Sequence, residues 1–348
     1  MNNGYNRRNR KRQSTAKHYK IRYDRIVAAL LGVAVLIVVI VSCAKAISGD
    51  KDSDKKSSKK ASSTGSSETS IVDNLDTSSK GGTSGTAGST AAESVQYTTE
   101  QYLPTDVGQG DLILVNSEHP YSFTEGDTEL VTLYDHFKSD YYNVSDYVVK
   151  LDSDTLSHLD AMMEAFYNAQ HNTDIYIIGG YRTIEEQNAR YANGDSKFNG
   201  GFTDYHTGRT FDMGIFPTDG SNAGYYSATG IYSWIDENAA SYGFVVRFPS
   251  GKETSTGEES RTYTYRYVGA PHATYMKQNN LCLEEYIEQI KSYTNEKPLE
   301  INVGDKLYGV YYVPANAEGN TDVPVPAGLT YQVSGNNVDG FVVTVEMN

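Results

Sequence analysis

Cysteine is almost absent from this chain, with two in 348 residues, Cys43 and Cys282. The first closes an apolar run, so the region beyond it holds one thiol and forms no internal disulfide. Its stability therefore rests on core packing, and Cys282, between Leu281 and Leu283, reads as a small buried apolar residue. Tryptophan is rarer still, one residue against 29 tyrosines. Tyrosine offers an apolar face and a hydroxyl together, which serves ordinary packing and equally a sugar or peptide surface. Positive charge is short overall, 30 Lys and Arg against 44 Asp and Glu, for a net charge of −14. The shortage is uneven. Residues 1–25 carry nine basic side chains against one acid, residues 26–44 carry no charge, and the remainder nets −22. A body of that sign excludes nucleic acid as a partner, because phosphate binding needs the opposite charge.

The uncharged stretch 26–44 also lacks a polar face, which a helix buried in a soluble core would normally show. Its length matches the roughly 20 apolar residues that cross a bilayer as a helix. The basic leader precedes it, so the positive-inside rule places 1–25 in the cytoplasm and everything after 44 outside the cell membrane, as a single-pass protein. Ile40-Val41-Ser42-Cys43 also has the pattern of a bacterial lipobox, which would put a lipid on Cys43 instead of a spanning anchor. Residues 45–97 are Ser, Gly, Thr, Lys and Asp with few large apolar side chains. They read as a flexible linker, with a mean span of about 40 Å for roughly 50 residues.

Ordered patterns begin near Tyr97. Leu112-Ile113-Leu114-Val115 reads as a buried strand, and Ser153 or Asp154 as the cap of a helix with Leu156, Leu159, Met163 and Phe166 on one face. A strand at Ile175–Ile178 ends on Gly179-Gly180, and Thr183 can cap the helix that holds Glu185, Glu186 and Gln187. A helix over Trp234–Ala240, a strand at Phe244–Val246 and an amphipathic helix at Leu283–Ile290 follow. This order predicts an α+β domain. Beyond Pro298 the period becomes two, and Leu307–Val313, Leu329–Val333 and Phe341–Val345 read as strands of a small β extension.

Four segments carry a family resemblance. They are Gly180-Tyr181-Arg182-Thr183 with Glu186-Gln187; Thr207-Gly208 with Asp212-Met213-Gly214; Trp234 to Ala239 with Tyr242-Gly243-Phe244 and Arg247-Phe248-Pro249; and Arg266-Tyr267-Val268-Gly269 with His272-Ala273. In this order and spacing the chain resembles the VanY-type D-alanyl-D-alanine carboxypeptidases, which are LAS metallopeptidases. The resemblance covers about 110–290. It implies a small mixed helix and antiparallel-sheet LAS-type domain at 98–295, with the β extension at 296–348, behind the transmembrane helix 26–44 and the linker 45–97.

The resemblance also implies a chemistry, peptide hydrolysis at D-alanine termini by a zinc-bound water. Three side chains, His, Asp and His, would hold the metal, and a Glu before the second His would take the water's proton. Aligned on Gly208 and Asp212, the first His position holds Tyr205. His206 is offset by one residue, which in an extended segment turns a side chain to the opposite face and makes it a polar surface residue. In the second motif Thr264 takes the ligand position and Arg261 the position of the base. Thr is a poor zinc ligand and Arg accepts no proton at any relevant pH. Only Asp212 survives of the four, so no zinc is expected, and Glu258 and Glu259 read as solvated loop charges.

The substrate-anchoring residues fare better. Arg182 and Gln187 keep the spacing with which the family surrounds the substrate's carboxylate, and Thr203 keeps a hydroxyl where the family has Ser. An Arg fork holds a carboxylate without any metal; alternatively Arg182 forms an ion pair with Asp212. Three readings follow. The leading one is a non-catalytic module binding peptidoglycan stem peptides through Arg182, Gln187, Thr203 and Asp212. The second is an altered peptidase built around Tyr205, His206 and Asp212. The third is an extracellular scaffold with its pocket unused.

Overall fold

The computed structural model describes residues 95–123, 128–221 and 223–348, which lie within one compact unit. The anchor read at 26–44 and most of the linker lie outside the described residues. Among the described residues no helix is long and apolar enough to cross a membrane.

In chain order the strands are β1 (Tyr97–Tyr102), β2 (Leu130–Thr132), β3 (Asn143–Val144), β4 (Lys150–Asp152), β5 (Ile175–Gly179), β6 (Thr210–Ile215), β7 (Gly224–Tyr225), β8 (Phe244–Phe248), β9 (Arg261–Tyr267), β10 (Leu299–Val303), β11 (Lys306–Pro314), β12 (Thr321–Pro326), β13 (Tyr331–Gly335) and β14 (Gly340–Glu346). The helices are α1 (Leu133–His136), α2 (Ser153–Gln170), α3 (Ile184–Asn193), α4 (Ser233–Asn238), α5 (Glu253–Thr256), α6 (Ala270–Gln278) and α7 (Leu283–Ile290). The central sheet runs β3-β5-β6-β9-β8, with β7 on the edge of β6; only β3 and β5 pair in parallel. A mixed helix and antiparallel-sheet architecture is thus observed.

Helix α2 shows why the sheet has a core side. Asp152 caps it by accepting from the Thr155 N–H, one residue ahead of the capping position read from sequence, and His171 ends it in the left-handed region at φ 52°. Leu156, Leu159, Met163 and Phe166 are buried against Ile175, Ile177, Phe211, Met213 and Tyr265 of the sheet. Burying each such side chain contributes about 1.5–3 kcal/mol, so this one face holds the layer together.

The segment Leu112–Val115 is buried as expected but is not a strand. Its backbone groups are taken by other partners. The Asp111 and Ile113 carbonyls accept from the Arg266 guanidinium, and the Leu112 N–H donates to Ser334 Oγ. A buried side chain with five donors has replaced a neighbouring strand.

The C-terminal strands form a four-stranded antiparallel sheet, β10-β11-β14-β13, and β12 pairs with β1. Strands β10 and β12 were not among those read from the sequence. Leu299, Ile301, Val310 and Val342 of this sheet share a core with Leu283, Tyr286, Ile287 and Ile290 of α7. A polar chain crosses the same boundary: His272 contacts the Tyr286 hydroxyl at 2.6 Å through Nδ1 and Thr344 Oγ1 at 2.9 Å through Nε2.

Candidate functional site

Asp212 on β6 faces Thr264 on β9 across the sheet, in register, while their neighbours Phe211 and Tyr265 pair on the core side. Side chains alternate along a strand, so Asp212 and Thr264 point to the opposite face. Over that face lies a short turn, Asp204–Thr207, closed by Gly208 at φ 69°. A Cβ on Gly208 would come within 2.8 Å of Leu130 Cδ2 and 3.2 Å of the Asp152 nitrogen, so only glycine allows the turn to fold down there.

The turn delivers Tyr205 to Asp212. The Tyr205 hydroxyl donates to Asp212 Oδ1 at 2.6 Å, and the Thr264 hydroxyl donates to the same oxygen at 2.6 Å. Burial, then the nearby carboxylate, pushes the Tyr205 phenol well above its ordinary pKa, which keeps it a proton donor. Arg182 Nη2 stands 3.9 Å from Asp212 Oδ2, and its guanidinium lies 3.5 Å over the Tyr205 ring. Burial lowers the Arg182 pKa, with Tyr205 and Asp212 opposing. Its side chain remains 17% exposed, so it is reachable.

Arg182 owes its position to α3. Thr183 and Glu186 form a capping box that starts this helix, and Gln187 follows one residue later. The Gln187 amide oxygen accepts from Arg182 Nη1 at 3.3 Å, and its nitrogen donates to Ser196 Oγ at 2.8 Å and the Phe198 carbonyl at 2.7 Å. Gln187 is fully buried. It orients Arg182 from behind and has no free group to offer a ligand. Thr203 is buried beside the turn. With Phe198, Phe202, Phe248 and Glu258 it lines a pocket of about 10 Å³, room for about one water. Arg182, Gln187 and Asp212 are thus brought together, and Thr203 lies in the adjoining pocket.

Two expectations need correction. His206 is not a surface residue but completely buried. Its Nε2 accepts from the Gly201 N–H at 2.9 Å, so Nδ1 carries the proton and donates to the Arg182 carbonyl at 2.6 Å. Burial depresses its pKa, in keeping with this neutral form. The residue sits in a turn, where the two-face rule of extended backbone does not apply. Glu258 is not solvated either: its side chain is 16% exposed and pairs with Arg261 Nη1 at 3.3 Å. Glu259, in contrast, is 81% exposed and meets Lys197.

Beneath the turn lies a set of buried charges that sequence reasoning missed. Asp204 accepts from Arg266 Nη1 at 2.6 Å and from the Thr210 hydroxyl, with Arg247 Nε 3.4 Å away in an ion contact without hydrogen-bond alignment. Arg247 in turn donates to both oxygens of Glu284, at 3.1 and 2.8 Å. Burial alone would raise the Asp204 pKa; the two guanidiniums reverse this and hold it below the ordinary carboxylate range. A usable signal existed in β9, where Arg266 stands two residues after Thr264 and so shares its face.

The residues at the three ligand positions do converge, but they do not fit zinc. Zinc takes thiolate, imidazole and carboxylate donors, and here two hydroxyls spend their protons on the one carboxylate. Among the described residues no three His, Cys, Asp or Glu side chains gather as a metal site.

The profile of a family described as VanY D-alanyl-D-alanine carboxypeptidase matches residues 148–270. A D-alanyl-D-alanine carboxypeptidase of Enterococcus faecium is 32% identical over 242 residues, 69% of this chain and 76% of the relative. The crystal structure of the vancomycin resistance D,D-dipeptidase VanXYg, bound to a D-Ala-D-Ala phosphinate analogue, superposes with a TM-score of 0.61 at 27% identity. The match covers 72% of this chain and 99% of that one. A VanY D,D-pentapeptidase mutant whose structure holds Zn(II) is 26% identical, covering 51% of this chain and 98% of that one, with a TM-score of 0.39. With Asp212, Arg182 and the sheet beneath them in place, and with a relative this similar over most of its length, the chain belongs to the VanY family of D-alanyl-D-alanine carboxypeptidases.

Proposed function

We propose that this chain is a cell-envelope protein whose carboxypeptidase-like domain binds D-alanine-ended peptidoglycan peptides without hydrolysing them. One observation carries the reading: Tyr205 and Thr264, at the two histidine positions, both donate to Asp212 Oδ1 at 2.6 Å. A hydrolase of this family needs that carboxylate for its metal. Here both lone pairs of Oδ1 are taken, Oδ2 faces the Arg182 cation at 3.9 Å, and Arg261 stands where a base would have to accept a proton.

What remains is an oriented cation. Arg182 is braced by Gln187 and stacked on Tyr205, so little rotamer entropy is lost when it receives a terminal carboxylate. A charged hydrogen-bonded pair of this kind contributes about 1.5–3 kcal/mol net, which with modest apolar contact corresponds to a Kd on the order of 0.1–1 mM.

The test uses the full-length chain. Calorimetric titration with acetyl-D-alanyl-D-alanine should give weak saturable binding that Arg182→Ala abolishes and Arg182→Lys restores only in part. Elemental analysis should find far less than one zinc per chain, and no D-alanine should be released, even after Arg261→Glu. Stoichiometric zinc lost on Asp212→Ala, or release of D-alanine, would overturn the reading. Should Arg182→Ala spare affinity but lower the melting temperature, the 3.9 Å contact to Asp212 is a structural ion pair and the scaffold reading takes over.

Placement at the envelope rests on the basic leader and the apolar run 26–44. Protease added to intact cells should remove the region after 44 and spare the leader. Protection of that region until lysis would refute the placement.

A further inference from the structure

Strand β9 brings two more side chains toward the site. Its register against β8 shifts between Val246 and Phe248, so the alternation that sets Tyr265 on the core side breaks before Tyr263 and Arg261. Tyr263 stacks on Tyr225, whose partner Gly214 shares the face of Asp212. Arg261 lies 4.2 Å over the Phe248 ring, is a quarter exposed, and makes a single 3.3 Å contact with Glu258. A guanidinium has five N–H groups, so donors remain. Its charge is felt through space by Tyr205 and by Asp212, the carboxylate that Arg182 faces at 3.9 Å. Tyr263, two residues on, has its phenol pushed up to about 12 by burial and then by Asp212, with Tyr225, Arg261 and Arg182 also within reach.

The second feature is a wall. Strand β7 extends the edge of β6 beyond the residues that pair with β9, and it carries Tyr225. The Tyr225 and Tyr263 rings stack nearly parallel, 15° apart with centroids at 4.2 Å, and Tyr225 is 54% exposed. Ring pairs usually sit 4.5–7 Å apart. This close pair therefore presents a flat apolar surface with hydroxyl tips next to a cation.

We infer that Arg261, Tyr263 and Tyr225 form a second subsite beside Arg182, which takes the last peptide bond and the side chain preceding the anchored terminal residue of an extended peptide. The inference rests on the peptide-binding reading and adds to it. Arg182 holds the terminal carboxylate, Arg261 donates to the carbonyl oxygen of the last peptide bond, and the tyrosine wall packs on the preceding side chain. No bond is made or broken. The site then selects a peptide over a lone small acid, which a single arginine does not.

Chemical-shift titrations of the full-length chain with two probes separate the outcomes. Propionate carries a carboxylate on a short apolar stem and no peptide bond; acetyl-D-alanyl-D-alanine carries both. The dipeptide should bind at least about tenfold more tightly. Arg261→Ala and Tyr225→Ala should each weaken the dipeptide by about threefold to tenfold and leave propionate unchanged, whereas Arg182→Ala should remove both. Tyr225 is mostly solvent-facing, so its variant keeps the fold. Equal affinity of the two probes overturns the subsite. Loss of propionate and dipeptide together on Arg261→Ala also overturns it, because Arg261 then shares the terminal carboxylate. If neither probe binds the parent protein, the peptide-binding reading itself falls, and the subsite with it.

Discussion

Asp204 and Asp212 are eight residues apart and both accept short hydrogen bonds, yet they do different things. Asp204 lies between two buried guanidiniums and fixes the turn that presents Tyr205. Removing one partner of a buried charged set costs far more than the set contributes, because the remaining charges stay desolvated. Asp204→Asn should therefore destabilise the protein by about 3–5 kcal/mol in urea titration. A change below 1 kcal/mol would mean that Glu284 alone neutralises Arg247 and Arg266. The roles of Arg182 and Gln187 were legible as a pair but not in their division of labour. The five-residue spacing links a residue just ahead of the α3 cap with one inside the helix; only the packing shows that Gln187 is buried and braces Arg182.

Elements with a strong local signal were legible: α2 from its apolar spacing, α3 from its capping box, α7 with the bounds read from its amphipathic pattern. Apart from β10, which pairs locally with β11, the misses have hydrogen-bond partners remote in sequence. Leu112–Val115 has strand composition, but remote side chains take its carbonyls: Arg266 that of Ile113, Asn337 that of Leu114 and Arg247 that of Val115. Strand β12 contains Pro324 and Pro326, residues that argue against a central strand, and it is tolerated because β1 is the one strand it pairs with. His206 failed for a related reason: a one-residue slip reverses a side chain in extended backbone, whereas in the turn Asp204–Thr207 it carries the ring inward, onto Arg182.

At the scale of the whole molecule, the C-terminal sheet and the helices above it meet through His272. Its ring is buried with both nitrogens engaged, and burial depresses its pKa from 6.5 to about 4. The folded state therefore binds a proton less readily than the unfolded chain. Stability from this residue is fully present above about pH 6.5 and is lost progressively as pH falls toward 4, where the folded form at last takes the proton. At about 1.4 kcal/mol per unit the loss approaches about 3 kcal/mol. Chemical denaturation between pH 7.5 and 4.5 should show that decline, and His272→Gln should flatten it. An unchanged slope in the variant would assign the decline to carboxylates instead.

The pairing of β1 with β12 has a bearing on synthesis. Thr98 and Val325 are hydrogen-bonded across a gap of 227 residues, so the first strand of the fold is completed by one of the last. A ribosome extending the chain at about 5–20 residues per second needs roughly 10–45 s between them. For that interval Tyr97–Tyr102 emerges with no partner, an unpaired edge rich in tyrosine and threonine, while the central sheet can already assemble behind it. Closure of the fold waits on its own C-terminus, and a chain released early presents that open strand to its neighbours.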